Sequence, residues 1–522
     1  MSDTRVITVV GLGPGRWDDL TVEAFETLMA ARRLICRTTR HPTVDALRER
    51  RPELVVESFD ALYDTIPTFA ELYPTMARVL LDRAAALPAG ESLLYATPGH
   101  PLMGEESVRI LRQEAATHGV EVRVVAGLSF VEPVCAALDL NPLEHDLQLL
   151  DATALTALPT EAVMGALQPT KPALIAQVYN RRLASGVKLA LSELYPEDWE
   201  VTLVQSAGLP EQERIFRLPL YELDRDDSPD HLTTLYLPPL SPLAAMRSPE
   251  GLRYIVMRLR APDGCPWDRE QTHQSLRRYV LEEAYEVAEA IDELDGTPET
   301  ADKLADELGD LLLQVYLHAE VANQEDAFHL GDVYQFVSEK LIRRHPHVFG
   351  DVAVRDAEHV VRNWEAIKRQ ERAARGEVVA DESALRGIPK SAPALYQAYE
   401  LSKKASKVGF RFRESDEALQ KVMEEAREFA DETQRRQAAG ASAPSDAERA
   451  ELGDLLFAVA ALAQRLDIRP EDALEQANAR FRRRFETMEA LARARGNALD
   501  ALDSDGWLAL WAEAKTLSQP PA

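Results

Sequence analysis

The second half of the chain repeats four motifs in the same order. The matched pairs are LEEAYE at 281–286 and MEEARE at 423–428, ADELGDL at 305–311 and RAELGDL at 449–455, KLIRRH at 340–345 and RFRRRF at 480–485, and WEAIK at 364–368 and WAEAK at 511–515. The two acidic pairs are offset by 142 and 144 residues. Because such a recurrence is improbable by chance, we predict a tandem duplication of one structural unit.

Apolar residues in this half have the spacing of an amphipathic helix. They recur, for example, at Leu304, Leu308, Leu311, Leu312 and Val315, while strand patterns are nearly missing. This period places an apolar stripe on one side of each helix, where a partner helix can cover it. We therefore predict that the duplicated half is an all-α bundle.

The first half has a different pattern, in which short β-branched runs alternate with helical stretches. The runs include RVITVVGLG at 5–13, SLLYATPG at 92–99, EVRVVAG at 121–127, PALIAQVY at 172–179 and EVTLVQSAG at 200–208. This alternation predicts an α/β domain with a largely parallel sheet. Residues 228–250 are rich in Pro and Ser, which suits a linker or an extended edge. The predicted boundaries are 1–240, a linker at 241–251, and helical units at 252–375 and 385–517.

Composition limits the classes of function. The formal net charge of −28 argues against a protein that coats duplex DNA or binds nucleic acid broadly, because that requires a basic surface. Three widely spaced cysteines, Cys36, Cys135 and Cys265, form neither a zinc motif nor a disulfide framework. The N-terminus enters a strand pattern at once, without a signal peptide or membrane segment. We expect a cytoplasmic protein.

The acidic motifs are candidate metal ligands. Carboxylates three residues apart share one helix face, and two such helices packed together bring four carboxylates into one place. The four are Glu283, Glu286, Glu307 and Asp310 in the first copy, and Glu425, Glu428, Glu451 and Asp454 in the second. Four convergent anions need a cation, or else some of them must stay protonated, and hard oxygen ligands favour Mg²⁺ or Mn²⁺. The alternative is a solvated acidic face on a helical oligomerisation scaffold.

Basic and aromatic residues accompany the carboxylates. Arginine side chains suit a polyphosphate, and a tryptophan can stack on a nucleobase. The candidate substrate-binding residues are Lys421, Arg480, Arg483, Arg484 and Trp511 in the second copy, and Lys340, Arg343, Arg344 and Trp364 in the first. The alternatives are a solvated basic helix and buried core tryptophans.

These motifs resemble the MazG family of nucleoside triphosphate pyrophosphohydrolases. The resemblance rests on the acidic pairs together with GCPWDREQTH at 264–273, EKLIRRHPHVFGD at 339–351, KKASKVGF at 403–410 and NARFRRRF at 478–485. It implies an all-α fold, Mg²⁺ dependence, a homodimer, and hydrolysis of a nucleoside triphosphate to a monophosphate and pyrophosphate. The expected role is removal of unwanted nucleotides from the cellular pool.

The two copies differ beside the first acidic motif. Aligning them places Tyr279 opposite Lys421, so that only the second copy has a cation at this position. We therefore expect Glu425, Glu428, Glu451 and Asp454 to be the catalytic set, while the first copy retains the ligands to bind metal. Arg411 and Phe412 follow the second-copy Val-Gly-Phe, where MazG relatives commonly continue with Asp-Trp, which leaves base selectivity open.

The N-terminal motifs resemble the tetrapyrrole methylase family, in its YabN-type branch that is fused to MazG. They are GLGPG at 11–15, WDDLT at 17–21, YATPGHPLMGEES at 95–107 and AGLSFVEP at 126–133. The resemblance implies two α/β subdomains with S-adenosylmethionine between them. The cofactor would contact Gly11, Gly13, Pro14, Gly15, Pro98, Gly99, His100, Gly127 and Ser129.

Two positions depart from the methylase pattern: Arg16 and His100 stand where family members usually have Asp. Because a fold alone does not establish chemistry, three interpretations remain for this domain. It is an active methyltransferase of unknown substrate with the MazG half as its partner, a module that senses S-adenosylmethionine, or a structural relic.

Overall fold

A computed structural model describes residues 5–88, 90–159, 162–225, 229–374, 383–496 and 502–518. The chain divides into two compact units, Met1–Val337 and Ser338–Ala522. The predicted end of the first helical unit, at residue 375, lies outside the described residues. No helix among the described residues combines the length and the apolar character needed to cross a membrane.

The first unit begins with a fully parallel five-stranded sheet of order β3-β2-β4-β1-β5. Its strands are β1 (Arg5–Gly11), β2 (Arg33–Cys36), β3 (Val55–Ser58), β4 (Ser92–Thr97) and β5 (Val120–Val125). The helices of this segment are α1 (Val22–Ala30), α2 (Pro42–Arg50), α3 (Asp60–Thr65), α4 (Phe69–Ala85), α5 (Glu106–Glu114) and α6 (Val131–Leu138). Central strands of a parallel sheet are covered on both faces, which explains their continuous apolar runs. Val9 and Tyr95, which are paired across β1 and β4, are both fully buried.

A second, mixed sheet follows, with the order β6-β7-β10-β8-β9. It comprises β6 (Gln148–Asp151), β7 (Ala173–Ala176), β8 (Glu200–Gln205), β9 (Arg214–Pro219) and β10 (Thr233–Leu237), accompanied by α7 (Ala152–Ala157), α8 (Val163–Ala166) and α9 (Arg181–Ser192). Only β6 and β7 pair in parallel; the other pairs are antiparallel.

The second sheet corrects one expectation. Residues 228–250 were predicted as a linker or an extended edge, but β10 lies in the middle of the sheet, between β7 and β8. Leu235 and Leu237 of this strand are fully buried. The neighbouring prolines stand outside the strand and so leave its backbone donors available for both neighbours.

The helical part of the first unit contains α10 (Pro249–Leu259), α11 (Pro266–Glu270), α12 (His273–Asp292) and α13 (Pro298–Gln324). Both α10 and α12 pack against α13. Val256, Leu276, Tyr316, Leu317 and Val321 form their shared core. A capping box formed by the residues at 272 and 275 starts α12 by satisfying backbone N–H groups at its first turn. Apolar residues with the predicted helical spacing thus pack these three helices together.

The remaining helices are α14 (Leu330–Arg344), α15 (Pro346–Phe349), α16 (Ala357–Ala374), α17 (Ala394–Lys407), α18 (Ser415–Ala438), α19 (Asp446–Arg465), α20 (Pro470–Ala494) and α21 (Ser504–Leu517). In the second unit, α18 and α17 both pack against α19, and α20 packs against α21. A capping box of Ser445 and Glu448 starts α19. The predicted fold class, an α/β domain followed by helical bundles, is confirmed.

Candidate functional site

The second acidic motif pair converges on one point. Glu425 lies on α18, and Glu451 and Asp454 lie on α19. One carboxylate oxygen from each of these three side chains lies within 4.8 Å of the other two. Glu425 is 7% exposed, Glu451 is half-buried and Asp454 is exposed. The cluster is therefore buried at its α18 end and exposed to solvent at its α19 end.

Lys421 belongs to this cluster. Its Nζ lies 2.7 Å from a carboxylate oxygen of Glu425 and 3.0 Å from one of Glu424. The hydrogen bond with Glu425, followed by that with Glu424, raises the pKa of Lys421. The i, i+4 spacing on one helix produces this contact directly. A permanent cation thus stands at the buried carboxylate of the second copy.

Glu428 completes the predicted set of four without entering the tight cluster. Its pKa is raised by desolvation and by the negative charges of Glu425 and Glu451. This repulsion shows that the fourth carboxylate lies close enough to the other three to interact with them electrostatically.

The first copy brings Glu283, Glu286 and Glu307 together in the same way, on α12 and α13, with oxygens within 4.8 Å of one another. Desolvation, a hydrogen bond that the Glu283 carboxyl donates to Glu286 and the charge of Asp310 raise the pKa of Glu283 to about 7. The pKa of Glu307 is also raised, by desolvation and then by Glu286. The carboxylates of this copy therefore repel one another, and a bound cation would relieve that repulsion.

Tyr279 occupies the position that corresponds to Lys421. Its hydroxyl accepts a hydrogen bond from Arg278, whose guanidinium also lies 4.5 Å from the centre of the Tyr279 ring. Trp267 packs edge-on against the same ring at 6.3 Å. Tyr279 therefore contributes aromatic packing and no positive charge to the first copy.

The arginines of the two copies also differ in their partners. Arg343 and Arg344 lie 2.6 Å and 2.7 Å from the Glu371 carboxylate, which is 9% exposed. The hydrogen bond from Arg344, supported by that from Arg343, lowers the pKa of Glu371 to about 2. Their second-copy counterparts on α20, Arg483 and Arg484, have no acidic partner among the described residues, and neither has Arg480, which corresponds to Lys340.

Each of the two predicted tryptophans contacts another aromatic ring. Trp511 lies 5.2 Å from the ring of Phe481 and belongs to the edge of the core between α20 and α21. Trp364 is 36% exposed and lies 5.5 Å from the ring of His345. Both retain exposed area, which is compatible with either stacking on a base or a packing role. Lys340 is exposed.

A separate cavity of about 760 Å³ lies in the N-terminal α/β region of the first unit. Six of the predicted cofactor residues line it: Gly13, Pro14, Pro98, Gly99, His100 and Ser129. They follow β1, β4 and β5, so the cavity lies at the carboxyl ends of parallel strands, where ligands of such sheets bind.

The other three predicted residues, Gly11, Gly15 and Gly127, do not line the cavity. A Cβ on Gly11 would lie 2.6 Å from the Gly99 carbonyl oxygen and 2.7 Å from the Gly127 nitrogen. At Gly15, it would lie 3.1 Å from Leu209. These glycines allow the turns after the strands to approach closely and so shape the cavity from behind.

Sequence reasoning identified His100 and Ser129 but missed other polar residues of the cavity. Arg37 Nε lies 3.0 Å from Glu105 Oε2 as an ion pair, without the alignment of a hydrogen bond, and Arg37 Nη1 donates to the Tyr63 hydroxyl at 3.0 Å. His41, 4% exposed, has an Nδ1 without a hydrogen-bond partner, and burial lowers its pKa to about 4. Arg37 could have been predicted from the sequence, because it directly follows β2 at the carboxyl edge of the sheet.

Family models match both halves of the chain. The MazG nucleotide pyrophosphohydrolase domain matches residues 271–349 and 413–488, which are the two predicted copies. The model of tetrapyrrole (corrin/porphyrin) methylases matches residues 6–224. The methylase match thus precedes the MazG matches along the chain, and the MazG model matches two separate ranges.

Relatives extend the match to nearly the full length. The uncharacterized protein YabN of Bacillus subtilis is 39% identical over 98% of both chains. The nucleoside triphosphate pyrophosphohydrolase of Escherichia coli is 41% identical over 52% of this chain and 98% of its own. The nucleoside triphosphate pyrophosphohydrolase/pyrophosphatase MazG of Thermotoga maritima is 39% identical over 51% of this chain and 95% of its own. The chain therefore belongs to the MazG family of nucleoside triphosphate pyrophosphohydrolases, in the branch that carries an N-terminal tetrapyrrole methylase domain.

Proposed function

We propose that the chain hydrolyses nucleoside triphosphates to monophosphates and pyrophosphate with Mg²⁺, and that the reaction takes place at the second acidic cluster. The observation that carries this proposal is the convergence of Glu425, Glu451 and Asp454 within 4.8 Å, beside Lys421. Glu428 is the fourth member of the catalytic set. In the cell, this activity would remove unwanted nucleotides.

The donor set fits Mg²⁺ well, and Mn²⁺ as a substitute. All donors are carboxylate oxygens from two helices, which suit a hard cation. Their open side leaves room for phosphate oxygens and water. Held by Glu425, Glu451 and Asp454, the ion would supply positive charge to offset that of the triphosphate and the charge that develops during phosphoryl transfer.

The remaining steps of the proposed reaction are carried out by side chains of the second copy. A carboxylate of the set orients a water molecule and accepts its proton as the water oxygen attacks the α-phosphorus in line. The bond between the α-phosphorus and the bridging oxygen breaks, and pyrophosphate leaves. Lys421 and the guanidinium groups of Arg480, Arg483 and Arg484 stabilise the leaving pyrophosphate, and Trp511 stacks on the base.

Two contrasts favour the second copy as the catalytic one. Lys421 places a cation where the first copy has Tyr279. Arg343 and Arg344 of the first copy are held by Glu371, whereas the arginines of the second have no acidic partner among the described residues. In the first copy, Glu283, Glu286, Glu307 and Asp310 remain competent to bind a metal ion, and Lys340 and Trp364 to contact a nucleotide.

Pyrophosphate release from a panel of nucleoside triphosphates, with and without Mg²⁺, tests the activity. We expect Glu425→Ala and Glu451→Ala to abolish release, while Glu283→Ala and Glu307→Ala, the matched changes in the first copy, retain most of it. Loss of pyrophosphate release confined to the first-copy variants would show that the first copy catalyses the reaction. No release by the unmodified protein from any nucleotide would refute the function itself.

We further propose that the protein is a homodimer in the cytoplasm. Both copies expose an apolar stripe at corresponding positions: Leu308, Leu312 and Val315 on α13, and Leu452, Leu456 and Val459 on α19, each at least 40% exposed. Exposed apolar surface of this regularity is typical of an interface. The three free cysteines are compatible with a reducing compartment.

A second function, binding of S-adenosylmethionine, is favoured by the N-terminal cavity. Backbone turns that contain Gly13 and Gly99 approach each other there, and Gly99 has a φ of 65°, which a side chain would strain. The cofactor would supply an electrophilic methyl group. Calorimetric titration of the full chain tests this function: binding that Gly99→Val removes supports it, and an unmodified protein that does not bind would favour the structural relic.

A further inference from the structure

The carboxylate of Glu371 is bound by two arginines at once. Arg343 Nε donates a hydrogen bond to Glu371 Oε1 at 2.6 Å, and Arg344 donates from Nε to Oε1 at 3.2 Å and from Nη2 to Oε2 at 2.7 Å. Both carboxylate oxygens are therefore engaged, and the Glu371 side chain is only 9% exposed. Arginines that bind two oxygens of one anion in this way also have the geometry to bind a phosphate group.

The face of α16 that carries Glu371 also carries Trp364. Trp364, Lys368 and Glu371 are separated by four and then three residues, so they lie one above another on the helix. Trp364 is the predicted partner of a nucleobase, and Arg343 and Arg344 are the predicted partners of its phosphates. Glu371 therefore binds the two side chains that would otherwise be available to the phosphates.

The second copy has no carboxyl group at the position of Glu371. Ser518, at the C-terminal end of α21, corresponds to Glu371, because each stands three residues after the Lys of the repeated motif WEAIK or WAEAK. The buried Ser518 hydroxyl forms no hydrogen bond within the described part of the chain, and Arg483 and Arg484 form no ion pair there. The exchange of Glu for Ser thus accompanies a change of the arginines from paired to unpaired.

A polyphosphate that approached the first-copy arginines would have to displace Glu371. Until it did so, its negative charges would meet a carboxylate that is already held by both guanidinium groups, and like charges repel one another. The hydrogen bond from Arg344, supported by that from Arg343, holds the pKa of Glu371 at about 2, so this carboxyl group stays ionised at neutral pH. The same two arginines cannot serve both anions at full strength.

We propose that Glu371 is an internal competitor of phosphate, which closes the arginine pair of the first copy to polyphosphate, whereas Ser518 leaves the second copy open. This inference rests on the proposed function and concerns the regulation of nucleotide binding. The excluded ligand is the triphosphate part of a nucleotide, whichever base it carries. Strong binding of polyphosphate is thereby confined to the second copy, although both copies carry the arginines.

Calorimetric titration of the full-length protein with inorganic triphosphate counts the open arginine sites. EDTA is present, so that side-chain cations alone bind the probe. We expect Glu371→Ser, which gives the first copy the residue of the second, to bind one more triphosphate per chain than the unmodified protein. The additional site should disappear when Arg343→Gln and Arg344→Gln are combined with Glu371→Ser.

A matched control lies on the same helix. Glu358 pairs with Arg362 at 3.5 Å and its side chain is 87% exposed, so Glu358→Ser should add no site. Glu371→Gln removes the charge and keeps nearly the same size, so it should add the site even if the serine variant folds poorly. Circular dichroism verifies that each variant retains its helices.

The reciprocal change tests the proposal in the second copy. Ser518→Glu places a carboxylate opposite Arg483 and Arg484, and it should weaken triphosphate binding at least about tenfold, because an ionised competitor then faces the ligand. It should also lower kcat/KM for nucleoside triphosphates with Mg²⁺. If the unmodified protein releases no pyrophosphate, the proposed function fails, while the number of triphosphates bound still reports on Glu371.

Two outcomes would overturn the role of Glu371. One is that Glu371→Ser and Glu371→Gln bind no more triphosphate than the unmodified protein while Ser518→Glu binds it as tightly. The other is that Arg343→Gln/Arg344→Gln removes a triphosphate site from the unmodified protein, since the first copy would then be open with Glu371 in place.

Discussion

A single lysine distinguishes the two acidic clusters. Because Lys421 Nζ lies 2.7 Å from buried Glu425, it can neutralise the cluster and offer hydrogen bonds to phosphate. Lys421→Met should therefore lower kcat/KM for triphosphates by roughly ten- to a hundredfold. Pyrophosphate release measures this effect, and Tyr279→Phe in the first copy is the matched control. An equal loss in both variants would show that Lys421 has no special role.

The ion pairs of Glu371 lead to a second prediction, which concerns how the stability of the protein depends on pH. The hydrogen bonds from Arg344 and Arg343 lower its pKa from 4.5 to about 2. A carboxyl group whose pKa is lowered on folding stabilises the protein above its unfolded pKa, and this contribution disappears as the pH falls through the folded value. Denaturant melts of the unmodified protein should lose this stability between about pH 4.5 and 2. Glu371→Gln should be less stable at pH 7 and show a shallower acid dependence; identical pH profiles would contradict this.

Which residues could be predicted depended on whether their contacts are local. The pairs Glu283/Glu286 and Glu307/Asp310 follow from i, i+3 spacing, which fixes a shared helix face before any tertiary contact is known. Glu371 and the ion pair of Arg37 with Glu105 could not be derived in this way. Their partners lie 27 or more residues apart in sequence and have no fixed spacing.

At the scale of elements, periodicity predicted the helices more reliably than the sheets. The helices α13 and α19 repeat their apolar residues over many turns, so one misplaced residue does not obscure the pattern. Strand β10 has five residues, Thr-Thr-Leu-Tyr-Leu, and lies between proline-rich segments. Those prolines led to the prediction of a linker or an edge instead of a central strand. Its central position depends on pairing with β7 and β8, which local sequence does not encode.

The matched apolar stripes give an element-level prediction. Leu456 on α19 is 54% exposed, and Leu312 at the corresponding position on α13 is 46% exposed. If these stripes form the dimer interface, Leu456→Asp or Leu312→Asp places a charge in an apolar contact and should shift the protein towards monomer. Sedimentation velocity reports the change. Leu508→Asp on α21, where Leu508 is 67% exposed, is the control and should remain dimeric. Dissociation by all three variants alike, or by none, would contradict the assignment.

For the whole molecule, the chain combines two kinds of ligand site that depend on different physical interactions. The acidic clusters are built from side chains of paired helices, and the proposed cation would offset their mutual repulsion. The N-terminal cavity is built from turns after parallel strands and from aromatic and charged side chains of the described residues. Sequence motifs point to both candidate sites, because the residues of each are concentrated in short segments of the chain.

This difference predicts that metal removal separates the two activities. EDTA should abolish pyrophosphate release and lower the melting temperature of the helical half, because each cluster is left with three or four unneutralised carboxylates. Binding of S-adenosylmethionine, measured by calorimetry in the same buffer, should be unchanged, since its proposed contacts in the cavity are backbone groups and neutral side chains. Added Mg²⁺ should restore release in the unmodified protein but not in Glu425→Ala. Loss of S-adenosylmethionine binding on chelation, reversed by Mg²⁺, would instead mean that metal binding controls the N-terminal cavity.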